Sequence, residues 1–453
     1  ARGFGPGDVL ALMAPNVPEY AVVFHGVATA GGTITTINPT YTASEVHHQL
    51  TDAGASLLIT IPMFLETARE GAAGTGVTDI FVLGDAVSGA ASAAELFGEP
   101  TDQVPVASDS VVALPYSSGT TGLSKGVMLT HHNLVANIAQ VLSPTNIDDH
   151  DVLMAVLPFF HIYGLTVILL GGLAKGATVV TMPRFDLEGF LRAHQKYRIT
   201  HTYVAPPIVV ALAKHPMVDQ YDLGALELVV SGAAPLSAEL SDEVAARLGC
   251  GVCQGFGMTE LSPVSHLSPL GASRPGTVGV LTPNTEMRIV DVETGADLGP
   301  EADGELWVRG PQVMKGYLNN EQATRETIDE DGWLHTGDVA EMDSDGDYAI
   351  VDRLKELIKY KGFQVPPAEL EAVMLEHPGI ADCAVIGVPD EEAGELPKGF
   401  VVVAEGSDVS DEEILAFVAE RVSPQKKLRL LERIEEIPKS ASGKILRREL
   451  SGR

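Results

Sequence analysis

Short apolar runs recur along the chain at residues 9–13, 57–61, 80–83, 111–114, 152–157, 177–182, 201–204 and 226–231, with helix-like segments between them. Each run is continuous rather than alternating, as expected of strands buried on both faces, so the rhythm predicts parallel sheets flanked by helices. From about residue 277 the pattern changes to short strands punctuated by Gly and Pro, such as 286–291 and 304–309, which predicts a smaller antiparallel or barrel-like unit. Residues 353–453 mix predicted helices at 367–376 and 411–421 with strands at 382–388 and 399–403, enough for a separate α+β domain. The Ala-rich stretch 86–94 reads as a surface loop and helix start. The longest apolar run, near 162–170, is too short to cross a bilayer, so no transmembrane helix is expected.

A length of 453 residues allows two or three domains, and 45% hydrophobic with 20% charged residues is the balance of a globular protein. The formal net charge of -31 repels nucleic acid and anionic membrane. A phosphate-rich ligand must therefore be held by a local basic site. The charge is uneven: 15 of the 30 Lys and Arg residues lie in 353–453, against 19 of the 61 acidic ones. Three cysteines, Cys250, Cys253 and Cys383, are too few for a disulfide framework. Cys250 and Cys253 have metal-ligand spacing but no second pair, and read as small buried residues. The start, Ala1-Arg2-Gly3, shows no secretory pattern, so a cytoplasmic location is expected.

The most informative stretch is Tyr116-Ser117-Ser118-Gly119-Thr120-Thr121-Gly122-Leu123-Ser124-Lys125-Gly126, just after the predicted strand 111–114. Glycines and hydroxyls closed by one lysine offer bare N–H groups, hydroxyl donors and a point charge, the chemistry a polyphosphate needs. The order Ser124-Lys125-Gly126 is not that of a Walker A loop, which ends in Gly-Lys-Ser/Thr. Gly255-Phe256-Gly257-Met258-Thr259-Glu260 has a carboxylate where a dinucleotide fingerprint has Gly or Ala, which suits a Mg2+ held on a phosphate.

These two stretches, with Ser231-Gly232-Ala233-Ala234-Pro235-Leu236, Thr336-Gly337-Asp338, Asp352-Arg353-Leu354-Lys355-Glu356 through Lys359-Tyr360-Lys361-Gly362-Phe363-Gln364, and Pro438-Lys439-Ser440-Ala441-Ser442-Gly443-Lys444, stand in the order of the adenylate-forming superfamily. The chain most resembles the 4-coumarate:CoA ligases and related acyl-CoA synthetases over essentially its whole length, with the family's usual first segment missing before Ala1. The resemblance implies an α/β fold: a large N-terminal adenylation domain, 1–352, of two α/β sheets with a β-barrel-like subdomain at about 277–352, and a mobile α+β lid, 353–453, hinged at Lys355. It implies an AMP-forming acid:CoA ligase that uses ATP, Mg2+ and coenzyme A, with an aryl (phenylpropanoid-type) acid such as 4-coumarate or cinnamate favoured. The rivals are a medium- or long-chain fatty acyl-CoA synthetase, an enzyme loading a carrier protein, and a catalytically silent nucleotide- or acyl-binding protein. A luciferase-like oxidation demands a specialised pocket. The expected partners are small molecules, with no nucleic acid and no stable membrane insertion, in a monomer or homodimer.

Residue by residue, the resemblance makes Lys444 the adenylation lysine, with Lys359, Glu260 and His161 as further catalytic candidates. Ser117, Ser118, Gly119, Thr120, Thr121 and Lys125 would cradle the β- and γ-phosphates, and Thr121 and Glu260 would hold Mg2+. Ala233, Gln254, Gly255 and Thr259 would line adenine and the α-phosphate; Asp338 and Arg353 would meet the ribose hydroxyls; Lys355 and Gln364 complete the nucleotide set. Arg184, Lys361 and Gly362 would contact CoA. His161, Tyr163, Val167, Gly257, Pro263, Val264 and Leu267 would wall the acyl pocket, with Gly257 leaving a slot for a planar ring. Plant coumarate ligases commonly carry a serine where this chain has Val167, and the apolar lining fits a medium-chain or unhydroxylated aryl acid at least as well. Ser124 replaces a proline common in the family loop, a change expected to alter stiffness more than chemistry.

Overall fold

The computed structural model describes residues 3–98, 102–117, 124–269, 271, 273–361, 363–390, 393–440 and 443–451. The apolar runs become two sheets. In the first, of eight strands, Val111–Ser117, Thr33–Thr36, Val9–Met13, Leu57–Thr60, Asp79–Val82 and Ala91–Ser92 run parallel in that spatial order, and Lys125–Thr130 and Gly316–Tyr317 extend one edge antiparallel. In the second, of seven, Gly251–Gly257, Leu228–Ser231, His201–Val204, Val152–Ala155 and Thr178–Thr181 are parallel, with Val264–Leu267 and Val280–Leu281 antiparallel at the edge. The two sheets share one apolar core, from Leu10 and Ile34 of the first to Tyr203, Val230 and Leu267 of the second. Between them lies Tyr163–Leu170, wound as a wide π-type helix with Gly164 through Leu170 all buried. Its continuous apolar sequence suits a segment enclosed on every side. No helix among the described residues is long and apolar enough to cross a membrane.

The expected barrel is not closed. Glu286–Val290, Gly304–Arg309, Leu334–Met342 and Tyr348–Arg353 form an open antiparallel sheet in that order, with the first and last strands as its two ends. Four strands are too few to bring the ends together. The small C-terminal domain has its own sheet, Phe363–Val365, Ile358–Tyr360, Gly394–Val403 and Ile380–Asp390, with Leu430–Arg433 beside Gly394–Val403. The helices Pro367–Leu375 and Asp411–Arg421 close its core around Leu370, Met374, Ile414 and Val418.

Helix His131–Thr145 ties the large region together through one polar, buried face. Asn133, Asn137 and Gln140 fall on one side because residues three and four apart align on a helix. Asn133 donates to the carbonyls of Pro311 and Val313, each at 2.8 Å, and Gln140 donates to Pro283 O at 2.7 Å. Asn137 donates to Val264 O at 2.7 Å and accepts from Val264 N at 3.1 Å. Asn137→Ala removes the partner of a buried N–H and one partner of a buried carbonyl. It is expected to destabilise by roughly 2–4 kcal/mol, read as a lower unfolding midpoint in a thermal melt.

Candidate active site

Strand Gly251–Gly257 ends in a short turn, Thr259–Leu261, that turns Glu260 inward. Glu260 is 5% exposed, and one oxygen, Oε1, accepts from Ser117 Oγ at 2.9 Å and from Tyr317 Oη at 2.8 Å. Ser117 faces Lys125 in the antiparallel register, so the phosphate-type loop has its two ends paired beside Glu260. Lys125 Nζ sits 4.0 Å from the centroid of the Tyr317 ring. Tyr116 Oη donates to Asp52 at 2.7 Å, which fixes the first arm of the hairpin. Ser118, Gly119, Thr120 and Thr121 lie outside the described residues. The oxygen donors here suit Mg2+, which takes one or two carboxylates and fills its shell with phosphate and water. Neither bond to Glu260 uses Oε2. Among the described residues no cluster of three His, Cys, Asp or Glu side chains could hold a metal.

On the same strand, Gly251–Gly257, Gln254 acts as a clamp. Its amide accepts from Leu236 N at 2.8 Å and donates to Leu236 O at 2.9 Å, holding the loop that carries Ala233. Ala233 is exposed in the left-handed region at φ 73°, a conformation unfavourable for a residue with a Cβ. Gly255 has Leu267 Cδ1 3.1 Å from where a Cβ would stand, and Thr259 is buried at the turn.

Asp338 and Arg353 face each other on adjacent strands, Oδ1 to Nε at 3.6 Å. That separation is an ion pair without a hydrogen bond, so both keep capacity for a diol. Burial pushes the Asp338 carboxyl up to about 6, against the pull of Arg353 and Lys444.

Lys444 comes from the other domain. Its hairpin is closed by Ser440 N to Lys444 O at 2.8 Å and by Lys444 N to Ser440 Oγ at 3.1 Å. Burial lowers the Lys444 ammonium to about 8, helped by Arg353 and opposed by Glu356, Asp338 and Glu260. Burial, with Lys444 adding to it, holds the His161 imidazole down at about 4. These mutual effects place Lys444, Asp338, Arg353, Glu260 and His161 around one space. Lys359, Lys361 and Gln364 are instead exposed on the hairpin of Ile358–Tyr360 and Phe363–Val365, where Lys359 pairs with Gln364. Lys355 and Arg184 are also exposed, and Gly362 lies outside the described residues. The structure therefore brings in Lys444 and leaves the second set of lid residues facing solvent.

On the acyl side, Tyr163 N donates to His161 Nδ1 at 3.3 Å, and Val167, Val264 and Leu267 are buried in the shared core, with Pro263 buried beside them. Gly257 corrects the expectation of a slot. A Cβ on it would stand 2.1 Å from the backbone oxygen of Pro263, so the crossing of two chain segments demands the glycine. Tyr317, Glu356 and the clamp role of Gln254 were not legible in the sequence. Tyr317 stands far from any of the motifs, and only sheet pairing with Lys125–Thr130 brings it to Glu260.

Gly443 docks the Lys444 hairpin: it has φ 85°, and a Cβ there would be 2.8 Å from Ala205 Cβ. Gly443→Ala should lift the hairpin from Ala205 and return Lys444 from about 8 toward its ordinary 10.5. Acylation of Lys444 at graded pH reads this shift, and Ala205→Gly added to Gly443→Ala should recover part of it.

The chain matches the family model described as AMP-binding enzyme over residues 1–318 and that of the AMP-binding enzyme C-terminal domain over 369–444. It is 47% identical to 4-coumarate--CoA ligase 3 of Oryza sativa subsp. japonica, covering 100% of this chain and 83% of that protein. Among solved structures it is similar to ATP-bound MatB from Rhodopseudomonas palustris, with TM-score 0.90 and 30% identity over 100% of this chain and 89% of that one. The apo form of MatB gives a TM-score of 0.78 at 30% identity and the same coverage. The anthranilate CoA ligase AuaEII in complex with anthranoyl-AMP gives 0.93, with 26% identity over 99% of this chain and 88% of that one. With both models matched in order along a fold of this kind, the chain belongs to the AMP-binding enzyme family, the adenylate-forming enzymes.

Proposed function

We propose that this protein is an AMP-forming acid:CoA ligase whose favoured substrate is an aryl acid of the 4-coumarate or cinnamate type. The observation that carries the reading is the meeting of Lys444 with Asp338, Arg353 and Glu260, a charged set suited to a Mg-nucleotide and its ribose. In the first half, a carboxylate oxygen attacks the α-phosphorus of ATP, the bond to the β-phosphate oxygen breaks, and pyrophosphate leaves. The Lys444 ammonium lies where the two anions meet and offsets the charge that develops there. Asp338 accepts from the ribose hydroxyls while Arg353 donates, and Lys125 with Ser117 faces the outer phosphates. Glu260 would hold Mg2+, with Thr121 as the second ligand, and that ion neutralises triphosphate charge. In the second half, the CoA thiolate attacks the acyl carbonyl and AMP leaves.

For that step the lid, residues 353–453, turns about Lys355 and carries Lys359 and Gln364 toward the adenylate and Lys361 with Gly362 toward CoA, with Arg184 as a further CoA contact. The higher similarity to ATP-bound than to apo MatB supports reading the present arrangement as the adenylating one. The buried Val167 favours an acid with no hydroxyl at its far end, because an unpaired phenol there is unfavourable. Three free cysteines suit a reducing, cytoplasmic setting.

Pyrophosphate release should require Mg-ATP and an acid, with cinnamate at least equal to 4-coumarate and above hexanoate, octanoate and palmitate. Preference for the aliphatic acids would move the protein to the fatty acyl branch. Lys444→Ala should slow pyrophosphate release by about a hundredfold or more, and leave thioester formation from a supplied acyl-adenylate intact. The pH profile has two limbs. Asp338 accepts only when ionised, so kcat/KM for ATP should fall below about 6; Lys444 is positive only below about 8, so it should fall above that. Lys444→Arg should remove the alkaline limb, since guanidinium stays protonated.

A further inference from the structure

The Pro367–Leu375 helix begins after Pro366, whose side chain makes no capping bond. One of its orphan N–H groups, that of Ala368, finds a partner from outside the small domain: Asp352 Oδ2, at 2.9 Å. Asp352 is the next-to-last residue of the strand Tyr348–Arg353, is 6% exposed, and accepts from Arg353 N on its other oxygen at 2.7 Å. Ala368 stands after Lys355 and Asp352 before it, so this bond crosses the hinge. Three residues further along the same helix, on the same face, Glu371 takes both bonds of Arg447 Nη2, at 2.8 and 2.9 Å, and accepts from Val385 N at 2.8 Å. Arg447 follows Lys444 by three residues and opens the helix Arg447–Leu450, and its Nε lies 3.4 Å from Glu356, which in turn lies 3.6 Å from Arg353.

We infer that Asp352 is a positioning residue for adenylation: its carboxylate holds the Pro367–Leu375 helix in the orientation that the Glu371–Arg447 pair then transmits to Lys444. The device is asymmetric between the two halves of the reaction. A buried carboxylate at a helix N-terminus bonds its N–H groups and complements the helix dipole, and both effects vanish within a few ångströms. Rotation about Lys355 moves Ala368 relative to Asp352, so the contact stabilises the arrangement with Lys444 inside and not the one that follows. The inference rests on the reading that Lys444 serves the first half and leaves for the second.

The test measures each half separately in the full chain: pyrophosphate release from Mg-ATP and acid, and thioester formation from supplied acyl-adenylate and CoA. Asp352→Ala removes both acceptors and should lower kcat of the first half about five- to tenfold, the population shift that loss of one cap produces, with KM for ATP within about twofold. The second half should be unchanged or faster. Asp352→Asn retains one acceptor oxygen and should fall between the parent and Asp352→Ala. Ala368→Pro removes only the donor, at a position in the first helical turn, and should reproduce the selective loss even if Asp352→Ala fails to fold. Equal loss in both halves, loss confined to the second, or no loss in the folded variants would overturn the inference. Lys444→Ala, run in parallel, separates the two ideas: if it leaves the first half intact the ligase reading of Lys444 fails, whereas if it slows that half and the Asp352 and Ala368 variants do not, only the hinge device fails.

Discussion

An ammonium group held away from bulk water is the constraint on which the rest of this structure depends. Burial alone pushes Lys444 toward losing its charge, and Arg353 pushes the same way. Asp338 on the strand Leu334–Met342, Glu260 on the turn Thr259–Leu261 and Glu356 just beyond the hinge oppose them. The pKa of this lysine thus depends on how the two domains stand: about 8 in the present arrangement, and nearer its ordinary 10.5 once the hairpin is lifted into water. An arriving triphosphate adds negative charge to the same space and strengthens the hold on the proton. Substrate binding and domain position are thereby coupled through a single pKa.

Glu260 and Lys125 are positioned by neutral partners, which orient them without cancelling their charge. Glu260 is fixed by the hydroxyls of Ser117 and Tyr317, and Lys125 by the face of the Tyr317 ring. Asp338 and Arg353 approach to 3.6 Å without bonding. This matters in a chain of net charge -31, whose overall field opposes a phosphate ligand. Attraction has to come from cations that remain free to act at short range, where the global field is the weaker term.

The acyl side is governed by packing instead. The π-type helix Tyr163–Leu170 is squeezed between two sheets, and a Cβ on Gly164 would stand 2.3 Å from Pro158 O. The same closeness of backbones fixes Gly257 against Pro263. These glycines set how near the chain segments lie around the buried Val167, Val264 and Leu267. Asn137 holds Val264 from behind, so a polar helix face stabilises an apolar surface.

The sequence by itself determined the parallel sheets, because strands buried on both faces must read as apolar runs, and its motif order, through the resemblance to the adenylate-forming enzymes, singled out Ser117, Lys125, Glu260, Asp338, Arg353 and Lys444 as candidates. Strand edges were less legible: Lys125–Thr130 and Gly316–Tyr317 are short or mixed in pattern, and their pairing is set by neighbours distant in the chain. The tertiary structure alone decided that the β-rich region stays an open sheet, that Gly257 answers to Pro263 O, that Gln254 clamps Leu236, and that Tyr317 joins Glu260. It also decided which lid lysine stands inside, Lys444 rather than Lys359. Local pattern encodes what a residue can do within its own element. Which groups meet depends on contacts between segments hundreds of residues apart, and those are fixed only when the sheets and the two domains pack.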